Sequence, residues 1–327
     1  MDAAKKVLVP ELIGKSSNSL REAFGQAITE AGAHFSNLVV LDGDVAGGTG
    51  AHHFRKAYPK RFYQCGIAEQ NMMCVAAGMA AVDLLPVVTS FAVFCLRAVE
   101  QARLSIGFSE KNVKIVASHP GLDVGPDGGS AQALEDLAAF RAIPGMVVIS
   151  PADAYETALA TRAMLEYKGP VYMRTGRSPA PDLFQAPYSF EIGKGRIIRE
   201  GTDLTLVACG VEVARSLEAA ALLEAEGISA RVVNLSTIKP VDVDLMVRCA
   251  KETGAIVTAE DHNIYGGLGS AVAECLVQHH PCPIEFVGVK DVFGESGDPA
   301  ALAEKYELTA PFIAKAAHRV LKRKKGR

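Results

Sequence analysis

The sequence predicts an α/β protein of two doubly wound domains, each with a mainly parallel sheet between layers of helices. Short apolar runs rich in valine and isoleucine alternate with longer helical patterns along the 327 residues. The runs are nearly continuous rather than alternating, which is typical of strands covered on both faces. A segment at 178–188 with three prolines and no helical periodicity divides this alternation into two blocks.

The first block predicts helices and strands in alternating order, which is the pattern of a doubly wound α/β domain. Helices are expected at 19–31, 69–82, 97–108, 134–140 and 155–166. Strands are expected at 38–41, 86–89, 113–117, 146–149 and 171–173.

The second block repeats the pattern in a smaller α/β domain. Its strands are expected at 204–208, 230–234, 255–259 and 284–287, and its helices at 212–226, 243–252, 269–279 and 311–322. Because 178–188 has the composition of an interdomain linker, we place the boundary near residue 185, with domains over 1–183 and 184–327.

Composition and charge exclude several functions. With 34 Lys and Arg against 37 Asp and Glu, the chain lacks the positive excess expected for nucleic-acid binding. The basic run 322–327 is predicted to be a solvated, fraying tail. No signal peptide is visible, and the apolar stretch 72–96 is interrupted by Gly78, Asp83 and Pro86, so we expect no membrane segment. Seven cysteines without a Cys-x-x-Cys pair favour reduced thiols, a cytoplasmic location and no metal site.

Glu69 is the first residue that points to chemistry. It begins a predicted helix and is followed by the uncharged residues 70–74. It could complement the helix dipole in the first turn. Alternatively, it could be a carboxyl group in an apolar pocket that shares a proton with a ligand nitrogen. The residue alone leaves both interpretations open.

Ordered motifs around and after Glu69 resemble the transketolase family over nearly the whole chain. The motifs that resemble its pyrimidine-binding domain are GIAEQNM (66–72), TSFAVF (89–94), SHPG (118–121), GPDGG (125–129) and RTGR (174–177). Those that resemble its C-terminal domain are ACG (208–210), TIKP (237–240), AEDH (259–262) and GGLG (266–269). The resemblance implies a thiamine-diphosphate pyrimidine-binding domain followed by a transketolase C-terminal domain.

The resemblance implies thiamine diphosphate as cofactor and a role for three residues. Glu69 matches the carboxyl group that binds N1′ of the aminopyrimidine, so that the 4′-imino tautomer can take the C2 proton. Phe91 and Phe94 would place aromatic faces around the pyrimidine, with Phe94 stacked on the ring. Without the family, two such phenylalanines would more simply be core residues.

Four further residues match substrate-binding positions of the family. His119 would face the reacting carbons of a ketose donor, and Asp127 would accept a hydrogen bond from a sugar hydroxyl. Arg21 and Arg177 would bind the terminal phosphate through charge-assisted hydrogen bonds. Taken alone, His119 could cap a loop and the two arginines could form surface ion pairs, Arg21 with the adjacent Glu22.

Two other segments look functional but are interpreted otherwise. The glycine-rich run 43–50 lacks the Lys and Ser/Thr of a phosphate loop and is expected to be a flexible connection at the edge of the active site. Glu260, Asp261 and His262 resemble a catalytic triad only in composition, because consecutive side chains cannot converge on one reacting atom.

A missing motif implies a partner. In the family, Mg²⁺ and the diphosphate are bound by a separate domain with a Gly-Asp-Gly motif and a later Asn, and this sequence contains no Gly-Asp-Gly. The chain therefore resembles the C-terminal, or β, subunit of a split transketolase, without metal ligands of its own. An N-terminal subunit would hold Mg²⁺, in an α2β2 heterotetramer around a dimer of this chain.

Three departures from the family leave the substrate open. Ala131 stands where many transketolases have His. Gly48 or Thr49 stands near the position of a phosphate-binding Ser. Arg97 stands where some members have Tyr. The substrate could be an ordinary sugar phosphate or an unusual one, branched or sulfonated. A 2-oxo acid decarboxylase β subunit, a deoxyxylulose-phosphate synthase and a degenerate, non-catalytic subunit are the other candidates.

Overall fold

The computed structural model describes residues 16–326. The N-terminal segment, for which no export signal is predicted, and Arg327 at the end of the basic run lie outside this range. The strands are β1 (Ser16–Ser19), β2 (Leu38–Asp42), β3 (Phe62–Gln64), β4 (Leu85–Phe91), β5 (Lys114–Ser118), β6 (Val147–Ile149), β7 (Val171–Thr175), β8 (Pro179–Pro181), β9 (Arg196–Arg199), β10 (Leu204–Ala208), β11 (Ala230–Asn234), β12 (Thr237–Lys239), β13 (Ile256–Asn263) and β14 (Ile284–Val289).

The α-helices lie between these strands. They are α1 (Leu20–Ala31), α2 (Ala46–Thr49), α3 (His52–Ala57), α4 (Glu69–Ala80), α5 (Ala92–Cys95), α6 (Val99–Gln101), α7 (Asp136–Arg141), α8 (Ala154–Glu166), α9 (Glu212–Ala225), α10 (Val243–Thr253), α11 (Leu268–His279), α12 (Pro299–Lys305) and α13 (Ala310–Lys325). Short 3₁₀ helices cover Pro59–Arg61, Leu96–Ala98 and Leu122–Asp127, and a π-helix covers Ala102–Phe108. None of the described helices is long and apolar enough to cross a membrane.

Two doubly wound sheets organise the described chain, as the sequence predicts. The first has seven strands in the order β12-β6-β7-β5-β4-β2-β3, parallel except for β12. The second has five strands in the order β14-β13-β10-β11-β9, parallel except for β9. Every residue of β2, β5 and β7 is buried, which explains their continuous apolar runs.

Local signals in the sequence account for several helix ends. The Asp153 side chain accepts a hydrogen bond from Glu156 N and caps the start of α8. Asp242 caps α10 in the same way, and Gly254 ends that helix with a left-handed φ of +67°.

A continuous apolar core joins the two halves. One cluster of buried side chains includes Val88 and Ile115 of the first sheet together with Val207 and Val233 of the second. In addition, β12 lies in the second half of the chain but pairs antiparallel with β6 of the first sheet. The two sheets therefore share an interface of the kind that holds domains in a fixed arrangement.

The structure corrects four local expectations. The predicted helix at 97–108 is divided into a 3₁₀ turn, α6 and a π-helix. The linker at 178–188 contains β8, which pairs with β1, and also buries Leu183, Phe184 and Tyr188. The run 43–50 is not a loose connection, because α2 lies within it.

The fourth correction concerns the basic tail, which is helical to Lys325 instead of fraying. Arg323 donates to the carbonyl of Ile284 at 2.7 Å. Lys324 Nζ donates to the carbonyls of Asp203 at 2.9 Å and Thr253 at 2.8 Å. These bonds fix the last turns of α13 against the second sheet, so the cationic side chains are partly used in packing.

Candidate active site

The predicted site residues follow neighbouring strands of the first sheet. Phe91 ends β4, His119 follows β5, and Arg177 follows β7. Because the carboxyl ends of parallel strands meet at one edge of a sheet, these side chains collect on one side of the molecule. Glu69 reaches the same edge from the start of α4, after β3.

Glu69 is a buried carboxylate without a hydrogen bond. Its side chain is 3% exposed, and no donor among the described residues reaches its oxygens. The nearest cation is Arg97, whose Nε lies 3.8 Å from Oε2 while its side chain is 66% exposed. Buried carboxylates normally have partners, so this one is placed to receive a hydrogen bond from a ligand.

Phe91 and Phe94 form an aromatic wall with His119. The Phe91 and Phe94 rings stack with centroids 5.4 Å apart, and Phe91 and His119 with centroids 3.7 Å apart. Phe91 thus lies between the other two rings. A Cβ atom at Gly48 would lie 2.5 Å from Phe91 Cε1, so Gly48 leaves the space that the Phe91 ring needs.

His119 is held as a neutral imidazole. Burial lowers its pKa to about 3, and the positive charges of Arg21 and Arg177 contribute to the decrease. Ser118 Oγ lies 3.2 Å from the carbonyl of Gly48, to which it donates its single hydrogen, and 2.9 Å from Nδ1 of His119. With the Ser118 hydrogen on that carbonyl, the matching tautomer of His119 has its proton on Nδ1, and its Nε2 lone pair can accept a hydrogen bond from a substrate hydroxyl.

Arg21 does not pair with its neighbour Glu22. The Glu22 carboxylate binds His53 Nε2 at 2.8 Å, whereas Arg21 Nη1 donates to the carbonyl of Gly48 at 3.3 Å. The Arg21 Nε atom is buried and has no hydrogen-bond partner in the described part of the chain. The alternative of a surface ion pair is wrong for Arg21, and its guanidinium retains donors for an anion.

Arg177 and Asp127 lie side by side. Arg177 Nη1 donates to the carbonyl of Val124 at 2.9 Å, and Nη2 lies 3.8 Å from Asp127 Oδ1. Asp127 is exposed and Arg177 is partly exposed. The two arginines and Asp127 therefore give the site cationic donors beside one carboxylate acceptor.

Sequence reasoning missed two residues that shape this site. Ser118 fixes the His119 tautomer, and Asp123 accepts hydrogen bonds from the backbone N–H groups of Arg177 and Ser178 at 3.1 and 3.0 Å. Ser118 begins the SHPG motif and Asp123 lies between that motif and GPDGG, and these positions were the only signal available. Their roles depend on backbone groups brought close by folding.

The described residues contain one candidate metal cluster, but it does not suit Mg²⁺. The ligand atoms of Glu22, His52 and His53 lie within 4.8 Å of one another. Mg²⁺ prefers oxygen ligands in octahedral geometry, and this cluster offers two imidazoles and a single carboxylate. The geometry also has a simpler basis in the ion pair between Glu22 and His53.

Comparison with known proteins identifies two matching domain families. Residues 16–181 match the transketolase pyrimidine-binding domain, and residues 193–313 match the transketolase C-terminal domain. The chain is 41% identical to the 6-deoxy-6-sulfo-D-fructose transketolase subunit SqwH of Clostridium sp., over 94% of this chain and 96% of that relative. It is 34% identical to one of the subunits of an apulose-4-phosphate transketolase from Phocaeicola vulgatus, over 93% of this chain and 97% of that relative.

A solved structure is also similar over nearly its full length. It is a split gene transketolase described as an inactive β4 tetramer, 48% identical to this chain, with a TM-score of 0.88. The match covers 94% of this chain and 99% of that one.

Proposed function

The chain belongs to the transketolase family, and we propose that it transfers a two-carbon ketol unit from a ketose phosphate to an aldose, as the C-terminal subunit of a split enzyme. The observation that carries this proposal is the Glu69 carboxylate, which is 3% exposed and has no hydrogen-bond donor among the described residues. It lies at the same edge of the first sheet as the stacked Phe91 and Phe94 rings. Such a group suits the N1′ atom of an aminopyrimidine, which needs a carboxyl partner to form the imino tautomer.

The site residues fit thiamine diphosphate, which when bound supplies the carbon nucleophile that carries the two-carbon unit. Glu69 would hold a proton at N1′ of the aminopyrimidine. Phe94 would offer its outer face to that ring, and Phe91 would support Phe94 from behind. Together these apolar rings would exclude water and strengthen the hydrogen bond to Glu69.

The remaining residues would bind the sugar. Neutral His119 would accept a hydrogen bond at Nε2 from a hydroxyl near the reacting carbons. Asp127 would accept one from a hydroxyl farther along the chain. Arg21 and Arg177 would bind the terminal anionic group. Burial, to which their positive charges add, keeps the imidazole of His119 unprotonated.

A partner chain would complete this site. The sequence contains no Gly-Asp-Gly motif, so an N-terminal subunit with this motif would hold the metal and the diphosphate. We expect an α2β2 heterotetramer around a dimer of this chain. Within this chain, the boundary between the two domains would lie near residue 185. The proposed setting is the cytoplasm, in the pentose phosphate part of carbohydrate metabolism.

An unusual sugar is a second candidate substrate. Two relatives are named for a sulfonated fructose and for apulose 4-phosphate. In this chain Gly48 cannot carry a serine side chain without displacing Phe91, and Ala131 offers no side-chain hydrogen bond. These positions favour a substrate bound mainly through Arg21 and Arg177, which suit a sulfonate as well as a phosphate.

The test is Glu69→Gln in the complex reconstituted with its N-terminal subunit. We expect turnover with a ketose phosphate and an aldose phosphate to fall by about 10²–10⁴, because an amide cannot share the required proton. The melting temperature should remain within about 2 °C of the wild type, since the carboxylate makes no hydrogen bond that the amide would lose. Glu100→Gln, an exposed carboxylate on α6, is the control and should leave turnover unchanged.

Two results would contradict the proposal. Near-normal turnover of Glu69→Gln would show that Glu69 has no role in the chemistry. Cofactor-dependent turnover by this chain without any second polypeptide would show that the enzyme is not split between two chains.

A further inference from the structure

The consecutive residues Glu260, Asp261 and His262, at the end of β13, point to three different places. Glu260 accepts hydrogen bonds from Leu268 N at 2.7 Å and Gly269 N at 2.8 Å, so it holds the start of α11 within its own domain. His262 Nδ1 lies 2.6 Å from the carbonyl of Asn263. Its Nε2 accepts a hydrogen bond from Ala138 N of the first domain at 3.4 Å. Asp261 extends its carboxylate to a different part of the first domain, the loop at 121–128.

The Asp261 carboxylate holds the loop that carries Asp127. Its Oδ1 accepts a hydrogen bond from Leu122 N at 2.9 Å, and its Oδ2 accepts one from Asp123 N at 3.2 Å. The loop is shaped to fit it, since Gly121 has a φ of +70° and a Cβ atom there would lie 2.2 Å from Asp261 Oδ2. The contact therefore joins a buried acid of one domain to two backbone donors of the other.

Asp123 extends this contact to Arg177. Its Oδ2 accepts hydrogen bonds from the backbone N–H groups of Arg177 at 3.1 Å and Ser178 at 3.0 Å. Ser178 Oγ donates in return to the carbonyl of Asp123 at 3.3 Å. Two aspartates in series thus connect the second sheet to the backbone of Arg177.

Asp261 itself is fixed from the first domain. Arg174 Nη1 donates to the Asp261 carbonyl at 3.0 Å, and the Arg174 guanidinium is bound to buried Asp136. Asp261 is 8% exposed, so its side chain has little freedom to move to another position.

We propose that Asp261 is a positioning residue, through which the second domain sets the loop at 121–128 and, by way of Asp123, the Arg177 guanidinium. The expected effect of Asp261 on kinetics rests on the proposed function. The expected effect of Asp261 on the order of the loop does not, because the hydrogen bonds lie within this chain.

The first experiment is hydrogen exchange on the full-length chain carrying Asp261→Asn. An amide offers one acceptor oxygen and turns an NH₂ group toward the other backbone donor, so at least one of the two bonds is lost. We expect exchange of the Leu122 or Asp123 amide to accelerate about tenfold or more. Glu260→Gln is the matched control, since this adjacent acid is also buried but accepts its backbone hydrogen bonds from Leu268 and Gly269, so only those two amides should exchange faster.

The second experiment measures kinetics in the reconstituted complex. Asp261→Asn should raise KM for the sugar phosphate about tenfold, with kcat changed less than about threefold and cofactor affinity unchanged. A general loss of structure would instead lower all three together. If the wild-type complex shows no ketol transfer, the proposed function fails and the exchange experiment alone decides this inference.

Asp123→Ala covers the case in which Asp261→Asn does not fold. Arg177 N and Ser178 N both donate to Oδ2 of Asp123, so removing the carboxylate removes both bonds, whereas the oxygen of an asparagine could keep them. Asp123→Ala should accelerate exchange at Arg177 and Ser178 while the amides of Leu122 and residue 123 stay protected. Unchanged exchange at 122–123 in Asp261→Asn, or at 177–178 in Asp123→Ala, would overturn the inference.

Discussion

Replacing Asp136 with asparagine should destabilise the chain strongly, because it removes the negative partner of a buried ion pair. Asp136 is fully buried and the Arg174 side chain is 5% exposed. The carboxylate accepts hydrogen bonds from Arg174 Nε at 2.7 Å, from Arg174 Nη2 and from the Tyr172 hydroxyl at 2.5 Å. Burial acts to raise the pKa of Asp136, but the charge and hydrogen bonds of Arg174 outweigh it, and the pKa is lowered.

The size of the stability loss depends on the partners that Arg174 keeps in Asp136→Asn. Arg174 would keep its charge in the interior, with the carbonyl of Asp261 as its remaining strong acceptor. Breaking a buried pair in this way costs about 3–5 kcal/mol. At roughly 2–4 °C per kcal/mol, the melting temperature should fall by about 6–20 °C. Asp136→Asn combined with Arg174→Met should recover part of this loss, because no buried charge is left unpaired.

The assay is thermal unfolding at neutral pH, with Glu166→Gln as the control. Glu166 pairs with Arg162 on the surface, where both side chains are more than half exposed, so its loss should cost less than about 1 kcal/mol. A melting temperature for Asp136→Asn within about 2 °C of the wild type would refute the reasoning.

The pH dependence of the melting temperature tests whether the Asp136 carboxylate stabilises the fold through its charge. Because the folded-state pKa of Asp136 is lower than its unfolded value, its stabilisation is complete above the unfolded value of about 4 and is lost as the pH falls below it. The difference in melting temperature between the wild type and Asp136→Asn should therefore become smaller at acid pH. A constant difference down to about pH 3 would contradict this account.

Two further predictions concern the aromatic wall. Gly48→Ser should cost about 1–3 kcal/mol because its Cβ atom overlaps Phe91. Gly47→Ser should be nearly neutral, since nothing lies within 4 Å of a Cβ atom at that position. Equal melting temperatures of the two variants would contradict the packing argument. His119→Asn should lower kcat/KM about tenfold or more. The pH profile of kcat/KM between about pH 5 and 8 should keep its shape, because the pKa of His119 near 3 keeps the ring neutral over that range. Loss of an inflection near pH 6.5 in the variant would show that the imidazole titrates in the working range.

The sequence was sufficient for elements with a continuous apolar run. The strands at 204–208 and 230–234 form where predicted, because runs of this kind suit a parallel strand that is buried on both faces. It was insufficient for β12, whose three residues show no periodicity and whose partner β6 lies far away along the chain. The π-helix at Ala102–Phe108 was also missed, since a helix with bonds from residue i to i+5 is rare and has no distinct apolar pattern in the sequence.

For the site, motifs located individual residues but did not reveal the contacts between them. Glu69, Phe91 and His119 were found because their neighbours in sequence match a known pattern. The tautomer of His119 depends on Ser118 and on a backbone carbonyl of Gly48, which the chain brings together only by folding. For the same reason the run at 43–50 was expected to be flexible, although Gly48 packs closely against Phe91.

The second domain contributes none of the residues predicted to bind cofactor or substrate, yet the geometry of the site depends on it. Loops at the end of a parallel sheet lose conformational entropy when they are ordered, and that cost weakens binding if it falls on the binding step. Here Asp261 orders the loop at 121–128 during folding, and the shared apolar core keeps the two sheets together. If a partner chain completes the site, as we propose, this arrangement favours assembly, because this chain's half of the site is in position before the partner binds.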